Sequence, residues 1–279
     1  MLGLVQGAFT ARTPAEPSTP LVVSVPHAGV SVAGYEETLS PELEVRSDAD
    51  LFVDELYGIG DAGGPQVFVA AQLSRFVCDL NRDPDDVGPG AVPEHPTARN
   101  VDGRGFIWAV TTTGAPAMAR PLSMQEWRGR TAVHAAYHDT IRRALARARA
   151  RFGYAILVDG HSMPSRGRAG HQDPGRPRAA VVPGDRDGRS CAPALTAAVV
   201  QHFAAQGFDV RPNDPYKGGY ITAHHGRPSD GVHAIQIELR RDLYMDEERF
   251  VPVEPGVSQL RGVIAALLGE LETLRLTPP

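Results

Sequence analysis

The chain has 279 residues, 42% hydrophobic and 22% charged, with a formal net charge of −5. This is the composition of a soluble globular protein with room for a large core. The acidic balance gives no reason to expect nucleic acid or an anionic membrane as partner, and no apolar run approaches the ~20 residues that cross a bilayer.

The N-terminus, MLGLVQGAFTARTPAEP, lacks the basic and apolar regions of a secretory signal. Residues 1–18 read as a Pro-rich leader, and with no internal repeat or Ser/Gly linker, residues 1–279 are expected to form one domain. Leu21 to Val25 (LVVSV) reads as a buried strand followed at once by Pro26-His27-Ala28-Gly29. Ligands of open α/β sheets sit beyond the carboxyl ends of strands, so His27 is a candidate for chemistry, against the plainer reading of a capped or core histidine.

From Arg46 to Gly58, Leu51, Phe52, Leu56 and Ile59 follow helical spacing, with Ser47 or Asp48 as N-cap. Three acids nearby (Asp48, Asp50, Asp54) exceed what a cap uses, so one is a candidate ligand or orienter. Gln66 to Ala70 is a second short strand, and Leu73 to Leu80 alternates like a strand charged on one face. Arg75, Asn81 and Arg82 could then fork onto a carboxylate, unless the Asn/Asp/Pro-rich end is only a surface turn. Residues 83–105 form a loop long enough to be a lid or binding loop, and Phe106 to Val110 suggests another strand.

Leu122 to Arg151 reads as a helix with a solvated basic face. Its His134 and His138 stand at i, i+4, but without an HExxH-type Glu they read as helix surface rather than metal ligands. Tyr154 to Val158 reads as a strand buried on both faces, as in a parallel sheet covered by helices. It breaks into Asp159-Gly160-His161-Ser162, with Pro164 opposing continuation. Asp159 and His161 are candidates for chemistry, or Asp159 and Ser162 merely cap a turn.

Residues 162–178 form a Gly/Arg/Pro-rich loop, Ala179 to Val182 a short strand, and Cys191 to Gln206 an amphipathic helix closed by Gly207. The loop PYKGGYITAHHG carries His224 and Lys217, the sole lysine among 28 basic residues, and lacks the order of a phosphate loop. In His233 to Arg240, period-two alternation puts Ala234, Gln236, Glu238 and Arg240 on one face; a Glu inside an apolar strand is costly unless paired or functional. Val257 to Leu274 is a closing amphipathic helix. Cys78 and Cys191 belong to no CxxC pair, so neither a disulfide scaffold nor a cysteine zinc site is expected, and a reducing cytoplasm is the expected compartment.

Three strands thus offer His27, His161 and Glu238, with Asp50 nearby in sequence. Two histidines and a carboxylate are a common hydrolytic zinc set, and a further Glu can serve as general base.

At these residues the chain resembles the N-formylglutamate amidohydrolases. The matching segments are VSVPHAG, SDADLFVDELYG, SRFVCDLNRDPDD, ILVDGHSMPS, YKGGYITAHHG and GVHAIQIELRRDLYMDE, spread in order over residues 23–247. The resemblance implies an α/β fold, with a mixed, largely parallel sheet flanked by helices, related to zinc carboxypeptidases and aspartoacylase-like deacylases. It implies a zinc-dependent hydrolase cleaving N-formyl-L-glutamate to formate and glutamate, the last step of one histidine-degradation route. By that likeness His27, His161 and an acid of the SDAD segment (Asp50, with Asp48 the alternative) would hold Zn²⁺. Glu238 would be the base, and Arg75, Asn81 and Arg82, joined by Lys217 and His224, would bind substrate.

Two positions depart from the pattern. Carboxypeptidases carry HxxE, whereas Val30 stands three after His27; several family members carry Arg where this chain has Ala223, which opens the substrate to another N-formyl or N-acyl amino acid.

Two rivals remain. Ser162 would be the nucleophile of a serine hydrolase, with Asp209 or Asp214 and His224 or His233 completing a triad; Pro164 replaces the Gly of the usual elbow. A non-catalytic amino-acid-binding protein would keep the Arg/Asn site without needing the histidines and Glu238.

Overall fold

The computed structural model describes residues 6–58 and 67–276. In chain order its main elements are β1 (Phe9–Arg12), β2 (Leu21–Val25), α1 (Val53–Tyr57), β3 (Phe68–Ala71), α2 (Met124–Phe152), β4 (Ala155–Met163), β5 (Val181–Gly184), α3 (Pro193–Ala205), α4 (Tyr220–His225), β6 (Val232–Arg240) and α5 (Gly256–Thr273). Six strands form one sheet in the order β1-β3-β2-β4-β6-β5. The inner four are parallel and both edges antiparallel, giving a mixed, largely parallel sheet between helices.

Alternate strand residues enter two cores. Val23, Ile156, Val158, Ile235 and Ile237 pack towards α1, α3 and α5. Val22, Val69, Ala155, Leu157 and Ala234 pack towards α2. Strands covered on both faces explain the nearly unbroken apolar runs. A capping box, Ser123 with Glu126, starts α2, and Gly153 in the left-handed region (φ 84) ends it.

Several local readings are corrected. The leader contributes β1, which pairs antiparallel with β3. β4 does not break at Asp159 but runs to Met163, because nine successive pairs tie it to β6. Leu73 to Leu80 forms turns rather than a strand. Its apolar–polar alternation mimics a strand, yet Arg75 and Asp79 are i, i+4 partners that fold towards each other. Phe106 to Val110 is likewise irregular. α1 starts at Val53, after Phe52 in the left-handed region (φ 65), not at Ser47 or Asp48. Ile59 and Gln66 lie outside the described residues. β5 starts two residues later than Ala179, pairing Pro183 and Gly184 with β6 at the sheet edge. No helix among the described residues is long and apolar enough to cross a membrane.

The ends of the strands make the crevice. β2 pairs with β4 only as far as Ser24 opposite Asp159, while β4 and β6 continue to Met163 opposite Arg240. The step leaves room beyond β2 for the chain that carries His27.

Candidate active site

Period-two alternation places Asp159 and His161 on the α2 face of β4, with Gln236 and Glu238 beside them on β6. His27 follows β2, and its carbonyl accepts from the Asp50 amide at 2.9 Å, tying the two candidate carriers together. Ligand atoms of His27, Asp50 and His161 lie within 4.8 Å of one another, all three residues buried. Asp50 Oδ2 stands 3.1 Å from His161 Nδ1 and 3.6 Å from His27 Nδ1. A tetrahedral ion with bonds of about 2.0–2.2 Å would have edges of about 3.3–3.6 Å, close to the two edges that Asp50 makes, so both suit a zinc-sized cation.

The far side of each ring is anchored. His27 Nε2 donates to Asp79 Oδ1 at 2.7 Å, and His161 Nε2 to Asp159 Oδ2 at 2.8 Å. An ionised carboxylate only accepts, so these bonds keep a proton on Nε2 and leave Nδ1, which turns to Asp50, as the nitrogen that would offer its lone pair to a metal in place of a proton. Asp79 also receives Arg75 Nη2 (2.7 Å), Trp108 Nε1 (3.1 Å) and the Asn81 amide (2.9 Å). Asp159 also receives Ser24 Oγ at 3.0 Å.

Electrostatics favour a cation here. Burial opposes the charge of Asp50, but hydrogen bonds from His161 and His27 outweigh it and hold the carboxyl well below its ordinary range. Burial likewise opposes Asp79, which Arg75 and His27 hold well below that range. Burial would lower His161, yet Asp159 and Asp50 raise it well above the usual imidazole value. Four buried carboxylates (Asp50, Asp79, Asp159, Glu238) thus face two paired guanidiniums, Arg75 and Arg241, leaving room for divalent positive charge. Burial pushes the Glu238 carboxyl up to about 7, against the pull of His161.

A cavity of about 660 Å³ opens over this cluster, reached by Arg75, Asn81, Arg82, Lys217 and Glu238. Arg75 is committed to Asp79 and stacks on Trp108, 4.3 Å from the ring centroid. Asn81 Nδ2 lies 3.2 Å from His161 Nε2, while its Oδ1 accepts from the Ile221 amide. Lys217 stands at the mouth, exposed and paired with Asp187 at 3.0 Å. His224 is exposed and stacks on Tyr220 outside the cavity lining. Ala223 is also exposed and outside that lining.

Asp48 is turned to other work: it accepts from the Thr112 amide (3.1 Å), the Thr112 hydroxyl and Arg168 (3.0 Å). Ser162 donates to Asp50 at 3.3 Å and accepts from Arg241 at 3.1 Å. The acids that a triad would need pair elsewhere, Asp209 with Arg211 and Asp214 with Arg176. Among the described residues no serine triad is assembled.

The sequence reading missed Asp79 and Arg241, and misplaced His134 and His138. Both histidines are buried, not helix surface. His134 Nε2 donates to the Arg82 carbonyl at 3.0 Å, and His138 Nε2 to the Leu80 carbonyl at 2.9 Å. His225 lies 3.0 Å from His138 Nδ1, whose lone pair must accept because Nε2 carries the proton. The three rings thus brace the backbone that presents Asn81 and Arg82. A signal for Asp79 was available: an acid between Cys78 and Leu80 in an otherwise apolar stretch.

A family model for N-formylglutamate amidohydrolase matches residues 19–245. The chain belongs to the N-formylglutamate amidohydrolase family. It is 34% identical over 262 residues to an N-formylglutamate deformylase of Pseudomonas aeruginosa and 36% identical over 262 residues to one of Pseudomonas putida, in each case 90% of this chain and 92% of the relative. An N-formylglutamate amidohydrolase from Ralstonia eutropha superposes with a TM-score of 0.85 at 32% identity, over 95% of this chain and 97% of that one. A gene product of Agrobacterium tumefaciens, 20% identical, shares the fold with a TM-score of 0.62 over 95% of this chain and 96% of its own. The family match spans every segment that builds the crevice, from β2 through β6.

Proposed function

We propose that this chain, as one domain, is a metal-dependent deformylase that hydrolyses N-formyl-L-glutamate, or a closely related N-formyl amino acid, to formate and the free amino acid in the cytoplasm. The observation that carries this reading is the buried His27–Asp50–His161 cluster, backed by Asp79 and Asp159 and flanked by Glu238. His27, Asp50 and His161 would hold a divalent ion, zinc by the chemistry of the donor set, which would polarise the formyl carbonyl and make water more acidic.

The chain's own residues do the rest. Glu238 takes a proton from the attacking water and passes it to the departing amine. Its raised pKa suits a group that gains and loses a proton near neutrality. Gln236 Nε2 donates to Glu238 Oε1 at 2.9 Å and fixes the carboxylate's orientation. Asp79 and Asp159 keep the imidazoles in the tautomer that offers Nδ1. Arg82 binds a substrate carboxylate while Arg75 and Asn81 shape the wall beside the cluster; Lys217 and His224 act at most on substrate approaching the mouth. His27 just after one parallel strand and His161 near the end of the next, with Glu238 on the neighbouring strand, are what the proposed kinship with zinc carboxypeptidases and aspartoacylase-like deacylases rests on.

Formate release tested across N-formyl and N-acetyl amino acids checks the reading. N-formyl-L-glutamate is expected to be among the best substrates, and no release from any of them would refute the assignment.

A further inference from the structure

Five cationic side chains without titratable nitrogen rings line the cavity: Arg75, Arg82, Arg104, Lys217 and Arg241. Three are neutralised within the protein, by Asp79, Asp187 and Asp50 respectively for Arg75, Lys217 and Arg241. Among the described residues Arg82 and Arg104 have no carboxylate partner. Arg82 Nε donates to the Arg104 carbonyl (3.2 Å) and its Nη1 to the Asn81 carbonyl (3.3 Å), while Arg104 Nη2 donates to the Gly170 carbonyl. Carbonyls position a guanidinium without cancelling its charge. Of the lining acids with no ion pair among the described residues, Glu238 is buried and held by Gln236, and Asp102 is exposed.

The two free guanidiniums occupy different places. Arg82 follows Asn81, whose amide reaches His161. Arg104 extends to Gly170, on the loop that follows β4. Gly170 leaves the space: a Cβ there would collide with Arg104 Nη1.

We propose that Arg104 is a specificity-determining residue that binds the second, side-chain carboxylate of a dicarboxylic N-formyl amino acid, Arg82 taking the carboxylate next to the scissile amide. Two guanidiniums, with three of their ten N–H donors spent on these carbonyls, still match two carboxylates better than one. This inference rests on the deformylase reading and names the group that would select glutamate over uncharged side chains.

The test compares kcat/KM of the metal-loaded protein for N-formyl-L-glutamate and for its neutral isostere N-formyl-L-glutamine. Arg104→Gln is expected to lower the glutamate value roughly 10- to 100-fold, mostly through KM, the loss that follows removal of a charge-assisted bond. The glutamine value should change less than about threefold. Arg104→Lys, which keeps the charge without the fork, should fall between. Gly170→Ala, which crowds the guanidinium, should lower the same ratio. Arg82→Gln should depress both substrates. If wild type does not distinguish the substrates, or if folded Arg104→Gln and Arg104→Lys proteins keep the wild-type ratio, the inference is overturned and the deformylase reading stands. If wild type releases formate from neither, the deformylase reading itself fails.

Discussion

Asp79 and His27 are bonded across 52 residues of chain, Oδ1 to Nε2 at 2.7 Å, with both side chains buried. The bond turns the opposite face of the imidazole, Nδ1, towards Asp50. Asp79→Asn is therefore expected to weaken metal binding roughly 10–100-fold, the usual effect of losing an outer-shell carboxylate. Competition with a chromogenic chelator measures it. Unchanged affinity in a folded variant would remove Asp79 from the metal-orienting role.

Glu238→Gln should keep the metal and the fold but lose roughly 10²–10⁴ of the turnover, the range for general acid–base catalysis. Steady-state formate release with metal content measured on the same sample decides it. Wild-type turnover would exclude Glu238 as the base.

Mild acid should loosen the protein through its buried neutral histidines. Burial above all, helped by neighbouring imidazoles and, at His225, by Arg227, lowers His134 to about 4, His138 to about 2 and His225 to about 3. The unfolded state binds these protons from about pH 6.5 downward while the folded state does not. Their contribution is thus complete above about pH 6.5 and is lost as pH falls towards 4, each group at up to about 1.4 kcal/mol per pH unit. His161 and Glu238, both raised, act in the opposite sense, while His171, lowered to about 4, joins the three and keeps the balance on their side. Urea midpoints between pH 7.5 and 5 should fall, and a flat profile would contradict the buried neutral state of this cluster.

Gly160 lies between Asp159 and His161 because the Tyr57 ring covers it: an added Cβ would sit 2.8 Å from Tyr57 Cε2. Tyr57 is fully buried on α1 and cannot step aside without disturbing that core. Gly160→Ala should cost about 1–3 kcal/mol of stability, read from denaturant unfolding, and tilt the residues on either side. An unaltered midpoint would show that the ring yields freely.

The residues of the candidate site were legible where a strand pattern ended abruptly. His27 after LVVSV and Glu238 inside an alternating strand stood out because their neighbours are apolar. The α/β class followed from runs such as Leu21 to Val25 being buried on both faces. Less visible was the length of β4: Asp159, His161 and Ser162 look like a turn until Asp50, Ser24 and Arg241, from distant segments, satisfy them. Likewise His134 and His138 look like surface because what buries them, the Leu80 carbonyl and His225, lies 58 and 87 residues away from His138. Arg75 and Asp79 sit in a turn whose polar spacing imitates a strand, and only the fold shows the pair closing on His27.

The most direct test is to titrate zinc into chelator-treated protein while following formate release from N-formyl-L-glutamate, in wild type and in Asp50→Ala. A deformylase built on His27, Asp50 and His161 should be inactive without metal, regain activity in proportion to zinc up to one ion per chain, and stay inactive after Asp50→Ala at the same zinc concentration. Full activity in metal-free wild type, or an Asp50→Ala protein that binds zinc and turns over normally, would contradict it.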